Sequence, residues 1–309
     1  MSVDPASWVL ISVVRRGGRR VSCGDAGFHC PGLAKELPVI AAIPNYNMGD
    51  NLRRLLPQVL EQHYNAVFVL DDASTDHSVD VVSGFGGEVK LVRSPENRGA
   101  GANRNQIIDH VREDAIIHFI DADMDLETPE TPAVAREVVG RYADRRVGLI
   151  GGLVSRVDGS QESRNYGPSP VLSVLGTSVL PVVITGRLRK NPRLAAAIRR
   201  VAAPVMRDWP NILESPTAAP AYWLHEGNML VYSSLFRSVG GYDPMLRSHE
   251  IQDLAIRLEK LGIKRQFDPS VRVVHHHIDV RGKNRLKWES KAIIYLIRKH
   301  GLFHFLTDR

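Results

Sequence analysis

The sequence predicts an α/β fold with a mostly parallel central sheet flanked by helices. Short apolar runs at 38–43, 66–70, 89–92 and 115–120 alternate with stretches of helical spacing. Strands alternating with helices of this length imply right-handed crossovers and a sheet covered on both faces. Two of those runs also end abruptly in carboxylates, Asp71-Asp72 and Asp121-Ala122-Asp123-Met124-Asp125. In such sheets ligands bind beyond the carboxyl ends of the strands, so the topology carries Asp72, Asp121 and Asp123 to one rim.

Element by element, 51–62 reads as a helix, with Leu52, Leu55, Leu56, Val59 and Leu60 at helical spacing. Ser74 or Thr75 can cap a helix reaching about Val82, and 101–111 reads as one helix. A helix is expected over 132–142 and a strand over 147–154. The pattern breaks at 168–220, where a Val/Leu-rich run leads into Arg187, Arg189, Lys190, Arg193, Arg199, Arg200 and Arg207. A solvated basic helix pair packed on the sheet is the favoured reading there. The competing one is a surface over 187–207 that meets anionic lipid head groups or a phosphorylated acceptor. Order returns after Ala221: a strand to Val231, a helix near Ser234, another over 249–261, a short strand over 271–274, and a closing helix over 288–299. The expected organisation is a leader over 1–36, one domain over 37–280 and a C-terminal lid and helix over 281–309. The domain has halves 37–125 and 126–280, the second carrying the basic insertion 168–220.

Composition narrows the class. The 309 residues are 43% hydrophobic and 24% charged, ordinary for a soluble globular protein. A net charge of +6 is too mild to indicate nucleic acid. The two cysteines, Cys23 and Cys30, have no metal-ligand spacing around them and suggest no disulfide framework. Absent an apolar run of ~20 residues, the expected setting is a reducing cytoplasm, with peripheral contact at the inner membrane face through the basic segment. Oligomeric state has no signature in the chain.

The carboxylates carry the chemistry. Side chains alternate along an extended backbone, but a tight bend at a strand end can turn Asp121 and Asp123 toward one point. Two carboxylates there can hold a hard divalent cation that keeps positions open for phosphate oxygens. A solvated acidic loop is the bland alternative. Three histidines, His275-His276-His277, follow an apolar strand, and Arg281, Lys283 and Arg285 follow them as a flexible lid or a solvated loop.

With these motifs in order, the sequence resembles the family-2 glycosyltransferases of GT-A fold over roughly 38–277. Ile43-Pro44-Asn45-Tyr46-Asn47 looks like the family's opening strand and nucleotide-binding turn, and Asp71-Asp72-Ala73-Ser74-Thr75-Asp76 like its D-D-x-S-x-D. Asn97-Arg98-Gly99 with Ala102 and Arg104-Asn105 is similar to its N-x-G-x-x-x-A-x-x-N segment, and Asp121-Ala122-Asp123 to its D-x-D. Gly227-Asn228-Met229 and Val239 to Asp243 look like its acceptor-side strand and turn, and 250–258 like its E-D-x-D-L-x-x-R-L helix. One departure falls in that helix, where Ile251 follows Glu250 in place of the usual Asp.

The resemblance implies a Rossmann-like nucleotide-binding half and an acceptor half. It implies sugar transfer, with inversion, from a nucleotide donor, UDP-linked for preference, to a saccharide, lipid-linked or small-molecule acceptor. It implies Mn²⁺ or Mg²⁺ at Asp123, with Asp121 helping through the metal or the ribose, and with His275 as the matching histidine and His277 in reserve. Asp72 would accept from the base or ribose, Tyr46 stack on the base, and Pro44, Asn45, Arg104 and Ala122 complete the donor pocket. Asp76 is read as a helix N-terminal charge. With the usual Asp absent, the base falls to Glu250, which Asp253 would orient or replace. A sugar-phosphate nucleotidyltransferase would open with a glycine-rich basic loop, which 44–47 is not. A nucleotide-sugar-binding module without catalysis is the other alternative.

Overall fold

A computed structural model describes residues 36–162, 165–167, 216–276 and 285–302, with positions 191, 193, 194, 196 and 197. Nearly all of the expected leader, both cysteines, His277, Arg281, Lys283 and most of the basic segment lie outside the described residues.

The first half follows the expected rhythm. Strands β1 (Val39–Asn45), β2 (Ala66–Asp71), β3 (Val89–Arg93) and β4 (Ile116–Ile120) are parallel to one another, in the order β3-β2-β1-β4. Strand β4 is buried along its whole length, as expected of a strand covered on both faces. Helix α1 (Gly49–Glu61) lays Leu52, Leu55, Leu56 and Val59 into the core between β1 and β2, the stripe its spacing predicts. Helix α2 (Ser78–Ser83) starts later than expected because Asp76 organises its entry. The Asp76 carboxylate accepts from the backbone amides of Ser78 (3.0 Å) and Gly49 (2.9 Å), the first residues of α2 and α1. It is a negative charge shared by two helix N-termini.

Between β3 and β4 the single expected helix is two, α3 (Ala100–Arg104) and α4 (Ile107–His110). The break falls at Asn105, whose side chain pairs with the backbone of Tyr242 in both directions at 2.8 Å. An amide locked onto a distant backbone segment competes with helix continuation.

Beyond β4 antiparallel strands join the parallel ones. The remaining strands are β5 (Met124–Leu126), β6 (Val147–Arg156), β7 (Tyr166–Gly167), β8 (Ala219–Ala221), β9 (Trp223–Leu224), β10 (Asn228–Tyr232) and β11 (Lys264–His275). The main sheet continues β4-β10-β6-β11-β5, with β8 also on β11 and β7 paired separately with β9. β10 runs antiparallel to β4 and β6, and β5 and β8 run antiparallel to β11, while β6 and β11 are parallel. The strand expected up to Val231 is thus three short pieces. Helix α5 (Thr131–Tyr142) covers the sheet, α6 (Ser233–Ser238) follows β10, α7 (Glu250–Lys260) precedes β11, and α8 (Arg285–His300) ends the described chain.

One buried polar network stitches the two halves together. Asn228 on β10 donates its amide to the carbonyls of Leu153 on β6 and Val271 on β11, both at 3.1 Å. Its Oδ1 must then accept, so His118 on β4 donates Nε2–H to it (2.9 Å) and accepts the Tyr64 hydroxyl at Nδ1 (2.8 Å). Gly152 leaves the room: a Cβ there would sit 2.3 Å from Asn228 Nδ2 and 2.4 Å from the Val271 carbonyl. Burial pulls the His118 imidazole down to about 4, against its hydrogen bond to Asn228. Between that value and the ordinary ~6.5 of an unfolded histidine, the unfolded chain binds more protons, so stability falls as pH drops through this window. A His118→Asn variant is expected to show a flatter fall of melting temperature between pH 7 and 5 than the parent chain. Equal slopes would count against a buried neutral His118.

Candidate active site

Several segments meet at the carboxyl rim of the parallel strands. The first is the end of β4. After Ile120 the chain turns tightly: the Asp121 amide donates to the Gly227 carbonyl (3.2 Å) and the Met124 amide to the Asp121 carbonyl (3.1 Å). Ala122 is buried in the core, while Asp121 and Asp123 flank it. The turn feeds β5, whose antiparallel register on β11 sets His275 opposite Met124 and Val274 opposite Asp125.

That register brings Asp123 and His275 together, Oδ2 to Nε2, at 3.1 Å. Asp123 is buried and accompanied by a hydrogen bond from the His276 amide to its own carbonyl (2.9 Å). The neighbouring positions split by strand alternation. His276 turns to the other side and meets Asp125 at 2.6 Å, where Arg54 (2.7 Å) and Gln58 (3.0 Å) of α1 also converge. The third carboxylate of the acidic run therefore ties the end of β11 to α1.

Behind His275 lies Glu162, with Oε1 3.5 Å from its Nδ1, and the His225 ring stands edge-on at 5.7 Å between centroids. Burial alone would lower the His275 imidazole; Asp123 and Glu162 outweigh it and lift it to about 10. Burial dominates at His225 and pushes it down, although Asp121, Glu162 and Asp123 all pull upward.

Asp121 is held by Arg104 at the end of α3 in a close ion pair. Arg104 is 3% exposed, and the fields of Asp121, Glu226 and Glu250 overcome its burial to hold the guanidinium above its ordinary value. Arg104, expected at the donor pocket, is a buried countercharge to Asp121 in the fields of Glu226 and Glu250. Glu250, first residue of α7, presses its methylenes on α3: a Cβ at Gly101 would meet its Cγ at 2.8 Å.

Asp72, at the end of β2, accepts from the amides of Arg98 (2.8 Å) and Gly99 (2.9 Å), one on each oxygen. Burial nevertheless pushes its carboxyl up, against the pull of those two amides. Gly99 is needed there, with φ of 93°. Asp72 thus shapes the loop that launches α3 and, through Arg104, reaches Asp121. Asn45, at the end of β1, donates to Asp71 (2.9 Å) and Ser74 (3.1 Å) and is buried, so it braces the turn. Pro44 lies beside it in β1, and Tyr46 stands exposed on the rim.

Asp253 corrects an expectation. It is 0% exposed, and its carboxylate accepts from Arg257 (2.8 Å), Lys299 (2.7 Å) and His300 (2.8 Å). Burial would raise this carboxyl, but the hydrogen bonds from His300, Lys299 and Arg257 and the Arg257 charge hold it far below the usual range. A carboxylate so engaged is a poor proton acceptor, and its position docks α8 onto α7 rather than orienting Glu250. Glu162, His225 and Glu226 belong to the site and carried no sequence signal: none lies in a recognisable spacing motif.

Among the described residues no group of three or more His, Cys, Asp or Glu is arranged to hold a metal ion, and no helix is long and apolar enough to cross a membrane.

Residues 40–166 match the family model described as Glycosyl transferase family 2. The chain is 26% identical over 242 residues to the pre-mycofactocin glycosyltransferase of Mycobacterium tuberculosis, over 77% of this chain and 43% of that protein, so it spans less than half of that relative's length. It is 27% identical over 290 residues to the N-acetylglucosaminyl-diphospho-decaprenol L-rhamnosyltransferase of the same organism, over 90% of this chain and 86% of that protein. Among solved structures, it resembles the Pyrobaculum calidifontis mannosyltransferase PcManGT in complex with GDP-Man and Mn²⁺ (TM-score 0.52, 20% identity, 84% of this chain and 66% of that one). It also resembles GalNAc-T7 with UDP, GalNAc and Mn²⁺ (TM-score 0.53, 16% identity, 78% and 44%). With the parallel nucleotide-side sheet, the acidic turn at its rim and these likenesses together, the chain has an α/β fold of GT-A type and is similar over residues 40–166 to glycosyl transferase family 2.

Proposed function

We propose that the protein transfers a sugar from a nucleoside-diphosphate donor, UDP-linked for preference, to an acceptor hydroxyl or similar nucleophile, with inversion at the anomeric carbon and a divalent cation bound. The observation that carries this reading is the Asp123–His275 pair at 3.1 Å on the strand-end rim, beside the Arg104–Asp121 pair.

The residues fit Mn²⁺ or Mg²⁺. Two ligands at right angles on a cation with bonds of about 2.1 Å lie about 3 Å apart, near the separation of Asp123 Oδ2 and His275 Nε2. Two protein ligands leave the remaining positions to phosphate oxygens and water. A bound ion would neutralise charge developing on the departing diphosphate.

The chain's own groups do the rest. Asp123 and His275 fix where the diphosphate sits. Arg104 holds Asp121 in place beside it, and Asp72 holds the 97–99 loop under the nucleoside, with Tyr46 on the rim to stack on the base. On the acceptor side, Glu250 receives the proton as the acceptor oxygen bonds to the anomeric carbon and the bond to the diphosphate breaks.

UDP- and GDP-sugars are tested by thermal shift with and without Mn²⁺. A UDP-sugar with Mn²⁺ is expected to raise the melting temperature by several degrees, since a ligand held at ~100-fold over its Kd adds ~2.7 kcal/mol. The shift should vanish in chelator. A larger shift with a GDP-sugar would reassign the nucleotide, and equal shifts with and without metal would remove the cation. Binding without release of nucleoside diphosphate to any acceptor would favour the binding-module alternative.

A further inference from the structure

We propose that Glu162 is a positioning residue for His275: its carboxylate fixes the imidazole so that Nε2 faces the cation shared with Asp123. This rests on the metal reading above and extends it to a residue outside every motif of the sequence. The arrangement is a built relay. Glu162 is 6% exposed, with Oε1 3.5 Å from His275 Nδ1 and Oε2 gripped by Arg156 through Nη2 (2.9 Å) and Nε (3.1 Å).

The backbone around Glu162 is pinned as firmly. Its amide donates to the Val154 carbonyl (2.9 Å), and its carbonyl accepts from Asn165 Nδ2 (2.9 Å). Asn165 is fully buried and clamps β6, accepting from the Val154 amide (2.6 Å) and donating to its carbonyl (3.0 Å). A turn this heavily tied sets a carboxylate on one side of His275 while Asp123 occupies the other. An ordinary surface ion pair would be exposed and its geometry loose; this one is buried and faces a ring whose opposite nitrogen meets a candidate ligand. A carboxylate on the far nitrogen of a metal-binding histidine selects the tautomer, fixes the ring plane and raises the basicity of the ligating nitrogen.

The test is Mn²⁺ affinity, read from the electron paramagnetic resonance signal of free Mn²⁺, with the metal alone and then with UDP and with GDP. Glu162→Gln keeps shape and loses charge; it is expected to weaken Mn²⁺ binding by ~10–100-fold, the usual effect of removing a partner of a metal-binding histidine. Its melting temperature without metal is expected to fall by a few degrees, because a charge paired with Arg156 is lost, so affinity is read on the folded chain, and Glu162→Asp should recover part of it, which a purely structural role would not produce. If Glu162→Gln fails to fold, Arg156→Met is read in the same way, with a smaller loss expected. Unchanged affinity in a folded Glu162→Gln, while Asp123→Asn abolishes binding, overturns the proposal and leaves the metal reading standing. Unchanged affinity in Asp123→Asn, or no binding by the parent chain, overturns both.

Discussion

Replacing Asp123 by Asn is expected to lower sugar transfer by about 10²–10³-fold or more while leaving the fold intact, because the change deletes a charge and little else. Asn keeps the volume of the side chain and can still hydrogen-bond His275. It cannot supply the negative charge that helps retain a cation against water. Losing one preorganised electrostatic contact to a developing anion costs about 3–4 kcal/mol of transition-state stabilisation. The fold has other supports at this point: His275 remains paired with Glu162, and β5 remains in register with β11. Activity in a standard donor-hydrolysis assay, together with the melting temperature, separates the two effects. Full activity in Asp123→Asn, or full activity of the parent chain in chelator, would remove the metal from the mechanism. A large fall in melting temperature alongside lost activity would instead mark Asp123 as a structural ion-pair partner of His275.

How much of this was legible before the structure depends on whether the signal is local. The β1–β4 half is legible because each strand is a buried apolar run and α1 has a clean apolar stripe. The carboxylates at 71–72 and 121–123 stand out because charge follows directly on a buried run. Strand direction is not legible, since an apolar pattern reads the same in both senses; hence the strand up to Val231 was expected but not its antiparallel sense. The first part of β11 was missed as well. Lys264, Arg265, Gln266, Asp268 and Pro269 do not look like a strand, yet they pair with β6 and β8 while Arg265 is buried against Glu259 and the Tyr222 carbonyl. Tertiary pairing overrides strand propensity there.

The site is less legible than the sheet for the same reason. Asp123 and His275 are 152 residues apart, and only the β5–β11 register joins them. The family resemblance supplied His275 from a run of three histidines; alternation on β11 then decides that His275 faces Asp123 and His276 faces Asp125. Glu162 sits in a turn with no pattern at all and becomes visible only through its contacts.

Glu250 and Asp253, three residues apart on α7, look interchangeable in the sequence, and the structure predicts opposite phenotypes for them. Glu250→Gln is expected to lower kcat by ~10²–10⁴-fold, the usual range for a lost general base. It should barely change the melting temperature, because Gln keeps the side chain's shape and Arg104 keeps its direct partner Asp121. Asp253→Asn should do the reverse. It strips the charge that Arg257, Lys299 and His300 share and loosens α8 from α7. Removing one member of a buried ion pair costs ~3–5 kcal/mol, and the partial exposure of Arg257 and Lys299 trims this to roughly 2–3 kcal/mol. Chemical denaturation and steady-state kinetics on the two variants read both effects. An Asp253→Asn chain that is stable but inactive would move the base to Asp253. A Glu250→Gln chain with unchanged kcat would move it away from Glu250, and Glu226, which shares the field of Arg104 with Asp121 and Glu250, is then the next carboxylate to replace.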